Sequence, residues 1–367
     1  MITAADGAFM ARALQLAGRG RGTTAPNPCV GCVLVRDGEV VGEGYHVRAG
    51  EPHAERLALA AAGASARGAT AYVTLEPCCH TGRTPPCTDA LRAASVARVV
   101  VALQDPDPRV AGQGIASLEA AGIPVEVGLM AAEAARLNQG FLSRVTRGRP
   151  FVRAKVGLSV DGRTALPSGE SQWITSPAAR ADVQRLRAAA DAILTGMGTV
   201  RHDDPRLTVR AVRARSPLRV VVASDPVFTP GARILQGPGR VLILTVADPG
   251  SSKGGVAGDP EIVAVGGSGR RVDLTAGLRA LGARGINDLL VEAGPTLLAS
   301  LLQEGLVDEL VLYMAPRLLG NGRPVADFTL PALAEARDWH YSDVRRVGPD
   351  LRLTLAPDRS GTPPGWL

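Results

Sequence analysis

Residues 53–87 read HAERLALAAAGASARGATAYVTLEPCCHTGRTPPC. The first third is rich in Ala and Leu and reads as a helix opening at His53-Ala54-Glu55. A strand follows within TAYVTLE, and Pro77-Cys78 is read as opening a further helix, with Cys87 nine residues beyond Cys78. Helix, strand and helix in this order are the repeating unit of an α/β sheet. The polar residues at the joints carry chemistry. One imidazole (His53) and two thiolates (Cys78, Cys87) make a three-ligand zinc set that leaves the fourth position to water. Expected helix N-termini at His53 and Cys78 place a favourable dipole beside them. Glu55, two residues from His53, stays out of the coordination shell yet faces the bound water. A carboxylate there takes a proton from that water and delivers it to a leaving amine.

Taken singly, His-x-Glu is usually a solvated helix start, and a cysteine pair is more often a structural zinc site or two buried thiols. The combination, with Glu76-Pro77 before Cys78, follows the signature of zinc-dependent base deaminases. All five cysteines precede residue 88. In a chain whose N-terminus lacks a basic start and an unbroken apolar core, such clustering points to metal or catalysis rather than disulfides. Cys29-x-x-Cys32 suggests a four-cysteine structural site with Cys78 and Cys87, but its two members have opposite parity on an expected strand and face opposite ways. Cys32 is therefore read as a small buried hydrophobe and Cys79 as a spectator.

Outward from this stretch, residues 4–17 read as an amphipathic helix and 29–46 as a hairpin turning at Asp37-Gly38. Strands are expected at 98–102 and 123–127, with helices at 115–121 and 131–145. The Thr146–Pro150 break ends a first domain at 148. A second α/β set begins with strand 151–158 and helix 177–190, and runs to helix 295–304 and strand 308–314. Its expected limits are 149–357, with a disordered tail from 358 to 367. At 367 residues the chain is long enough for two cores.

The net charge of +6 invites a nucleic-acid reading. Residues 1–149 hold 15 basic and 13 acidic side chains and the remainder 26 and 22, so no arm or patch stands out. Aromatic residues, at 3%, offer few stacking platforms. No run approaches the length of a membrane span. The expectation is a cytoplasmic enzyme of a small anionic substrate, without nucleic-acid or membrane partner, assembling as a homo-oligomer. A tRNA-type nucleic-acid deaminase with an appended binding domain is the alternative, and a non-catalytic zinc module fused to an oxidoreductase a third reading.

The long interval in Cys78-Cys79-His80-Thr81-Gly82-Arg83-Thr84-Pro85-Pro86-Cys87 differs from a short C-x-x-C. Together with Asn27-Pro28-Cys29-Val30-Gly31 and Gly44-Tyr45-His46, it closely resembles the bifunctional riboflavin-biosynthesis deaminase–reductases. The likeness continues through AKVGLSVDGRTA (154–165), SGESQWITS (168–176), Asp203-Asp204-Pro205, LTVR (207–210) and Glu292-Ala293-Gly294-Pro295. The resemblance implies an N-terminal cytidine-deaminase-like three-layer α/β/α domain and a C-terminal dihydrofolate-reductase-like α/β domain. It also implies two reactions. The first is deamination of 2,5-diamino-6-ribosylamino-4(3H)-pyrimidinone 5′-phosphate with Zn2+ on His53, Cys78 and Cys87 and Glu55 as proton shuttle. The second is reduction of the ribosyl to a ribityl chain by NADPH. Asn27, His46, His80 and Arg83 would contact the first substrate, and Arg83 offers a fork for its phosphate.

The second half lacks a G-x-G-x-x-G after a strand, so the common dinucleotide fingerprint is absent. Two weaker glycine sites remain, Thr195-Gly196-Met197-Gly198-Thr199 and Glu292-Ala293-Gly294-Pro295, the latter putting backbone N–H groups at a helix start. The resemblance assigns Gly157, Trp173, Thr199, Asp203, Ser224 and the run Gly294, Pro295, Thr296, Leu297, Leu298, Ala299 and Ser300 to NADPH. It assigns Ser171, Arg187, Leu207, Arg210 and Glu292 to the phosphorylated substrate. Lys155, one of only two lysines, lies by strand parity opposite Val152, Ala154 and Val156, which turns it toward the reductase cleft. Asp161-Gly162 reads as a turn rather than a catalytic acid. Asp203 and Glu292 are both candidates to assist proton transfer.

Overall fold

The computed structural model describes residues 2–81, 85–210, 215–246, 260–269 and 271–358. Arg83 and the expected tail beyond Asp358 lie outside the described residues. The chain divides into two compact units, one ending at Gly148 and the next beginning at Arg149. Among the described residues, no helix is long and apolar enough to cross a membrane.

The first unit runs α1 (Ala4–Gly18), β1 (Gly31–Arg36), β2 (Glu39–Tyr45), α2 (Ala54–Ala62), β3 (Thr70–Val73), α3 (Cys87–Ala93) and β4 (Arg98–Val101). It closes with α4 (Gln113–Ala120), β5 (Val125–Val127), α5 (Ala131–Leu137) and α6 (Gln139–Arg147). The sheet order is β2-β1-β3-β4-β5, antiparallel at the hairpin and parallel from β3 onward. Alternation along β1 sends Cys32 and Leu34 into one apolar layer with Ala54, Leu91 and Leu118. It sends Val33 and Val35 into the opposite layer with Met10, Tyr72 and Leu142. Two cores around one sheet make the three layers.

Two glycines in β2 determine where α2 can lie. A Cβ on Gly42 would stand 2.3 Å from the Ala58 carbonyl oxygen, and one on Gly44 would stand 2.4 Å from that of Ala54. The helix therefore rests backbone-on-backbone against the strand, and its first turn, with His53 and Glu55, is held in one register.

Two expectations need correction. The helix expected over 131–145 is two helices broken at Asn138, whose amide accepts from the Cys29 N–H at 2.8 Å and donates to the Cys29 carbonyl at 3.0 Å. The side chain thus pairs with an extended backbone segment, and its own backbone leaves the helical region. Cys78 does not open a helix either; Pro85-Pro86 cannot sit inside one, so α3 starts at Cys87.

The second unit begins with β6 (Phe151–Ser159), β7 (Arg163–Ala165), α7 (Pro177–Ala189), β8 (Ala192–Gly196), α8 (Met197–Asp203), β9 (Leu218–Val222) and β10 (Val241–Thr245). It continues with β11 (Glu261–Ala264), β12 (Gly267–Ser268), β13 (Arg271–Val272), α9 (Leu274–Ala283), β14 (Asp288–Val291) and α10 (Pro295–Gln303). It ends with β15 (Glu309–Ala315), β16 (Arg323–Pro324), β17 (Trp339–Val347) and β18 (Asp350–Pro357). Nine strands form one sheet in the order β11-β10-β9-β8-β14-β6-β15-β18-β17. It is parallel from β11 to β15, and the last two strands run antiparallel. Val152, Leu194, Val220 and Leu298 fill one face and Ile193, Val221, Ile243 and Leu290 the other.

Replacing Gly44 with Ala tests the α2 contact. Overpacking typically costs about 1–3 kcal/mol, so the urea-unfolding midpoint of the first unit is expected to fall. An unchanged midpoint would contradict the contact.

Candidate functional site

In the first unit, His53 caps α2 from an extended conformation, and β3 delivers the chain to Cys78. His53 Nδ1 lies 3.5 Å from Cys78 Sγ and 3.4 Å from Cys87 Sγ. Among the described residues, this trio alone brings three such ligand atoms within 4.8 Å of one another. The Cys87 backbone N–H also donates to Cys78 Sγ at 3.4 Å, the contact a thiolate accepts. A single ligand nitrogen between two sulfurs, with an N–H stabilising one of them, fits zinc by donor type and spacing. The Cys78 thiol is held down to about 4, chiefly by its hydrogen bond with Cys87, whose own thiol is pushed up by that same bond.

Glu55 is buried on the first turn of α2 and hydrogen-bonds Cys87. Burial, followed by the nearby Cys78, pushes its carboxyl up to about 6. Asn27 Nδ2 meets His46 Nε2 at 3.0 Å, while His46 Nδ1 meets the Pro52 carbonyl at 3.2 Å. That network assigns the ring proton to Nδ1 and leaves Nε2 accepting from the amide. Burial lowers the His46 pKa, which keeps the ring neutral. His80 is half-buried, with a buried Nδ1 that has no hydrogen-bond partner among the described residues. Cys32 packs with Ala54 in the core and Cys29 lies beside the Thr24 hydroxyl at 3.4 Å, so the four-cysteine site does not form. Cys79 lies 3.9 Å from the Arg109 carbonyl.

In the second unit, a cleft of about 1380 Å³ opens beyond the carboxyl ends of β6, β8, β9 and β14. Crevices at this end of parallel strands are the usual ligand sites of α/β sheets, and the volume exceeds that of a drug-sized pocket. Gly196 allows β8 to approach α10, since a Cβ there would meet the Leu297 side chain at 3.3 Å. Gly294 N–H donates to Thr199 Oγ1 at 3.1 Å, which joins the two glycine sites at the start of α10. The first N–H groups of that helix have no intrahelical acceptor and suit a phosphate.

On the cleft wall, Glu292 Oε2 lies 2.8 Å from Lys155 Nζ, and Arg187 grips the same carboxylate with two bonds of 2.5 and 2.9 Å. Burial opposes its ionisation, yet Lys155 and Arg187 hold its pKa down to about 2. Lys155 therefore reaches the cleft, as strand parity requires. Trp173 is 57% exposed rather than core, with the Arg180 guanidinium 4.5 Å from its ring centre.

Gly157, Ser171, Thr199, Asp203, Leu207, Arg210, Ser224, Pro295, Thr296, Ala299 and Ser300 also line the cleft. Leu298 does not; its side chain is 2% exposed in the core, on the opposite side of α10. Asp161 forms a turn, accepting from Ser159 Oγ and from the Leu319 and Gly320 N–H groups. Arg180 and Gln184 join the wall and escaped the sequence reading. They stand seven and three residues before Arg187 on α7, so helical spacing alone signals them.

A cytidine-deaminase-like α/β unit with a His/Cys2 centre, followed by a dihydrofolate-reductase-like α/β unit with a cofactor-sized cleft, is the class that these features define. Residues 3–103 match the cytidine and deoxycytidylate deaminase zinc-binding region, and residues 150–353 match the RibD C-terminal domain. The riboflavin biosynthesis protein RibD of Escherichia coli is 52% identical over 95% of this chain and 99% of its own. The solved structure of Acinetobacter baumannii RibD (form 1) is 44% identical with a TM-score of 0.89, covering 97% of this chain and 99% of that one. A deaminase/reductase from Thermotoga maritima, named for diaminohydroxyphosphoribosylaminopyrimidine and 5-amino-6-(5-phosphoribosylamino)uracil, is 33% identical with a TM-score of 0.88 over 96% and 99%. The chain belongs to the RibD family of riboflavin biosynthesis proteins.

Glu292→Gln leaves Lys155 and Arg187 as partly buried cations without that counter-charge. Breaking a buried pair costs about 3–5 kcal/mol, so the urea midpoint of the second unit should drop sharply. A midpoint equal to that of the unsubstituted chain would refute the clamp.

Proposed function

We propose that the chain deaminates 2,5-diamino-6-ribosylamino-4(3H)-pyrimidinone 5′-phosphate and then reduces the product's ribosyl group to ribityl with NADPH. The observation that carries the first step is the His53 Nδ1 set between two cysteine sulfurs with a buried Glu55 alongside. Zinc held by His53, Cys78 and Cys87 would supply a Lewis acid that ionises water near neutral pH. Glu55 takes the proton released as water adds to the amino-bearing ring carbon and hands it to nitrogen, so that ammonia leaves and a carbonyl remains. A carboxyl raised by burial into the range of neutral pH suits both transfers. Asn27, oriented by neutral His46, reads the pyrimidine edge, and His80 lies on the loop that carries Cys78. Arg83 is assigned to the phosphate on the resemblance.

For the second step, NADPH bound in the cleft would supply the hydride that reduces the ribosyl group. Gly294, Pro295, Thr296, Thr199 and Ser224 would form its cradle, and Trp173, Gly157 and Asp203 the flanking wall. Glu292 is too firmly held as an anion to give up a proton, and it acts as the anchor that orients Lys155 toward the substrate. Arg187, engaged with Glu292, is not free to serve as the main phosphate ligand. Arg210 takes that role with Ser171 and the Leu207 turn, because its guanidinium has no bond among the described residues.

The dispersed arginines and scarce aromatics favour a small phosphorylated substrate over the nucleic acid of the tRNA-type alternative. A cytoplasmic location accords with five cysteines clustered in the unit that holds a metal-type centre rather than spread through the chain. The homo-oligomer finds support in β17, a sheet-edge strand that exposes Tyr341 and Val344 and leaves one row of backbone groups unpaired.

Glu55→Gln should cut ammonia release by at least about 100-fold, the low end for general acid–base catalysis, while zinc content and NADPH-dependent reduction of the deaminated substrate persist. Near-normal ammonia release would remove Glu55 from the mechanism. Lys155→Met should lower kcat of the reductase with ammonia release unchanged; intact reductase kinetics would remove Lys155.

A further inference from the structure

A second glutamate close to the metal ligands does different work from Glu55. Glu76 is 4% exposed and has no cationic partner among the described residues. Its carboxylate instead accepts four backbone N–H groups. Oε2 takes those of Asp105 at 3.1 Å and Gly112 at 3.0 Å, and Oε1 those of Gly114 at 2.9 Å and Ile115 at 3.1 Å. The donors come from the loop after β4 and the first turn of α4, where intrahelical acceptors are missing. Its own N–H donates to the Leu103 carbonyl at 2.9 Å. The chain leaving β3 toward Cys78 is thus tied at Glu76 to the chain leaving β4.

Packing reinforces the tie. Gly114 sits so close that a Cβ would stand 2.1 Å from the Pro77 carbonyl oxygen, the peptide that immediately precedes Cys78. Downstream, the Cys78 carbonyl accepts from the N–H groups of Cys87 at 3.0 Å and Thr88 at 3.2 Å. Cys78 is therefore suspended between Glu76 on one side and the start of α3, with Cys87, on the other. Among the described residues between those anchors, none lies in a helix or strand.

We propose that Glu76 is a positioning residue for the metal centre, fixing where Cys78 Sγ stands relative to His53 and Cys87; the proposal rests on reading that trio as the zinc site. A carboxylate is needed because only two acceptor oxygens, each with two lone-pair directions, satisfy four converging donors. Glutamine of the same length would turn an NH2 group toward two of those N–H groups, leaving both of them and the amide's own two hydrogens without an acceptor in a buried space. Groups that orient metal ligands typically change metal affinity by about 10–100-fold when removed.

The test uses the full zinc-loaded chain and its Glu76→Gln and Gly114→Ala variants. Zinc transfer to a chromogenic chelator, the visible spectrum of the cobalt-substituted protein, and NADPH-dependent reduction of the deaminated substrate are measured for each. The proposal expects zinc transfer about 10-fold faster or more and an altered cobalt spectrum in both variants, with reduction unchanged. A Cβ at Gly114 would also stand 3.1 Å from Glu76 Oε1, so Gly114→Ala displaces the Pro77 carbonyl and the carboxylate together while keeping the carboxylate's charge, and it decides the matter if Glu76→Gln fails to fold. Zinc transfer and cobalt spectra equal to those of the unsubstituted chain, even with a lowered unfolding midpoint, would overturn the positioning role. Failure of the unsubstituted chain itself to hold zinc would instead overturn the metal reading beneath it.

Discussion

The approach of α2 to β2 through Gly42 and Gly44 is the constraint on which the first unit's chemistry depends. Helices usually pack on sheets through side chains, with enough spread in distance to blur the position of a helix end. Here carbonyl oxygens of Ala54 and Ala58 face glycine Cα atoms with no room for a methyl group. That contact sets the height and register of α2, and so determines where His53 and Glu55 meet the two cysteines. It also buries Glu55 against Cys32 and Cys87, and this burial gives the carboxyl a proton affinity useful near neutral pH.

The second unit solves the opposite problem with the same residue type. Glu292 is as thoroughly buried as Glu55, but Lys155 and Arg187 surround it and keep it ionised. One glutamate is left to its burial and, on the proposed mechanism, carries protons; the other is clamped between two cations. Environment, not residue identity, separates the roles. Glu76 adds a third version, a carboxylate saturated by backbone donors whose task is mechanical.

Much of this was legible in the sequence because it depends on local periodicity and on chemically unusual residues in fixed order. The reading of Cys32 as a small buried hydrophobe, the two-residue step from His53 to Glu55 and the isolated Lys155 each pointed to the place that the structure uses. Long-range compensation was hidden. Nothing near Asn138 in sequence announces that it will pair with Cys29 and break a helix, and Arg187 read as a phosphate ligand because Glu292 lies 105 residues away. The β17–β18 hairpin escaped because WHYSDVRRV, exposed along most of its length, lacks the buried alternation that marks a strand. Leu298 was taken with its neighbours as a block, whereas a helix turns its side chains to different faces.

The central claim is that two chemistries act in order on one pyrimidine. Its most direct test is incubation of the full chain with 2,5-diamino-6-ribosylamino-4(3H)-pyrimidinone 5′-phosphate and NADPH, with ammonia and NADPH followed together. The account predicts one ammonia released for each NADPH oxidised, with ammonia appearing first. A zinc chelator should abolish both signals, and added deaminated substrate should restore NADPH oxidation alone. NADPH oxidation that proceeds on the diamino compound without ammonia release would contradict it.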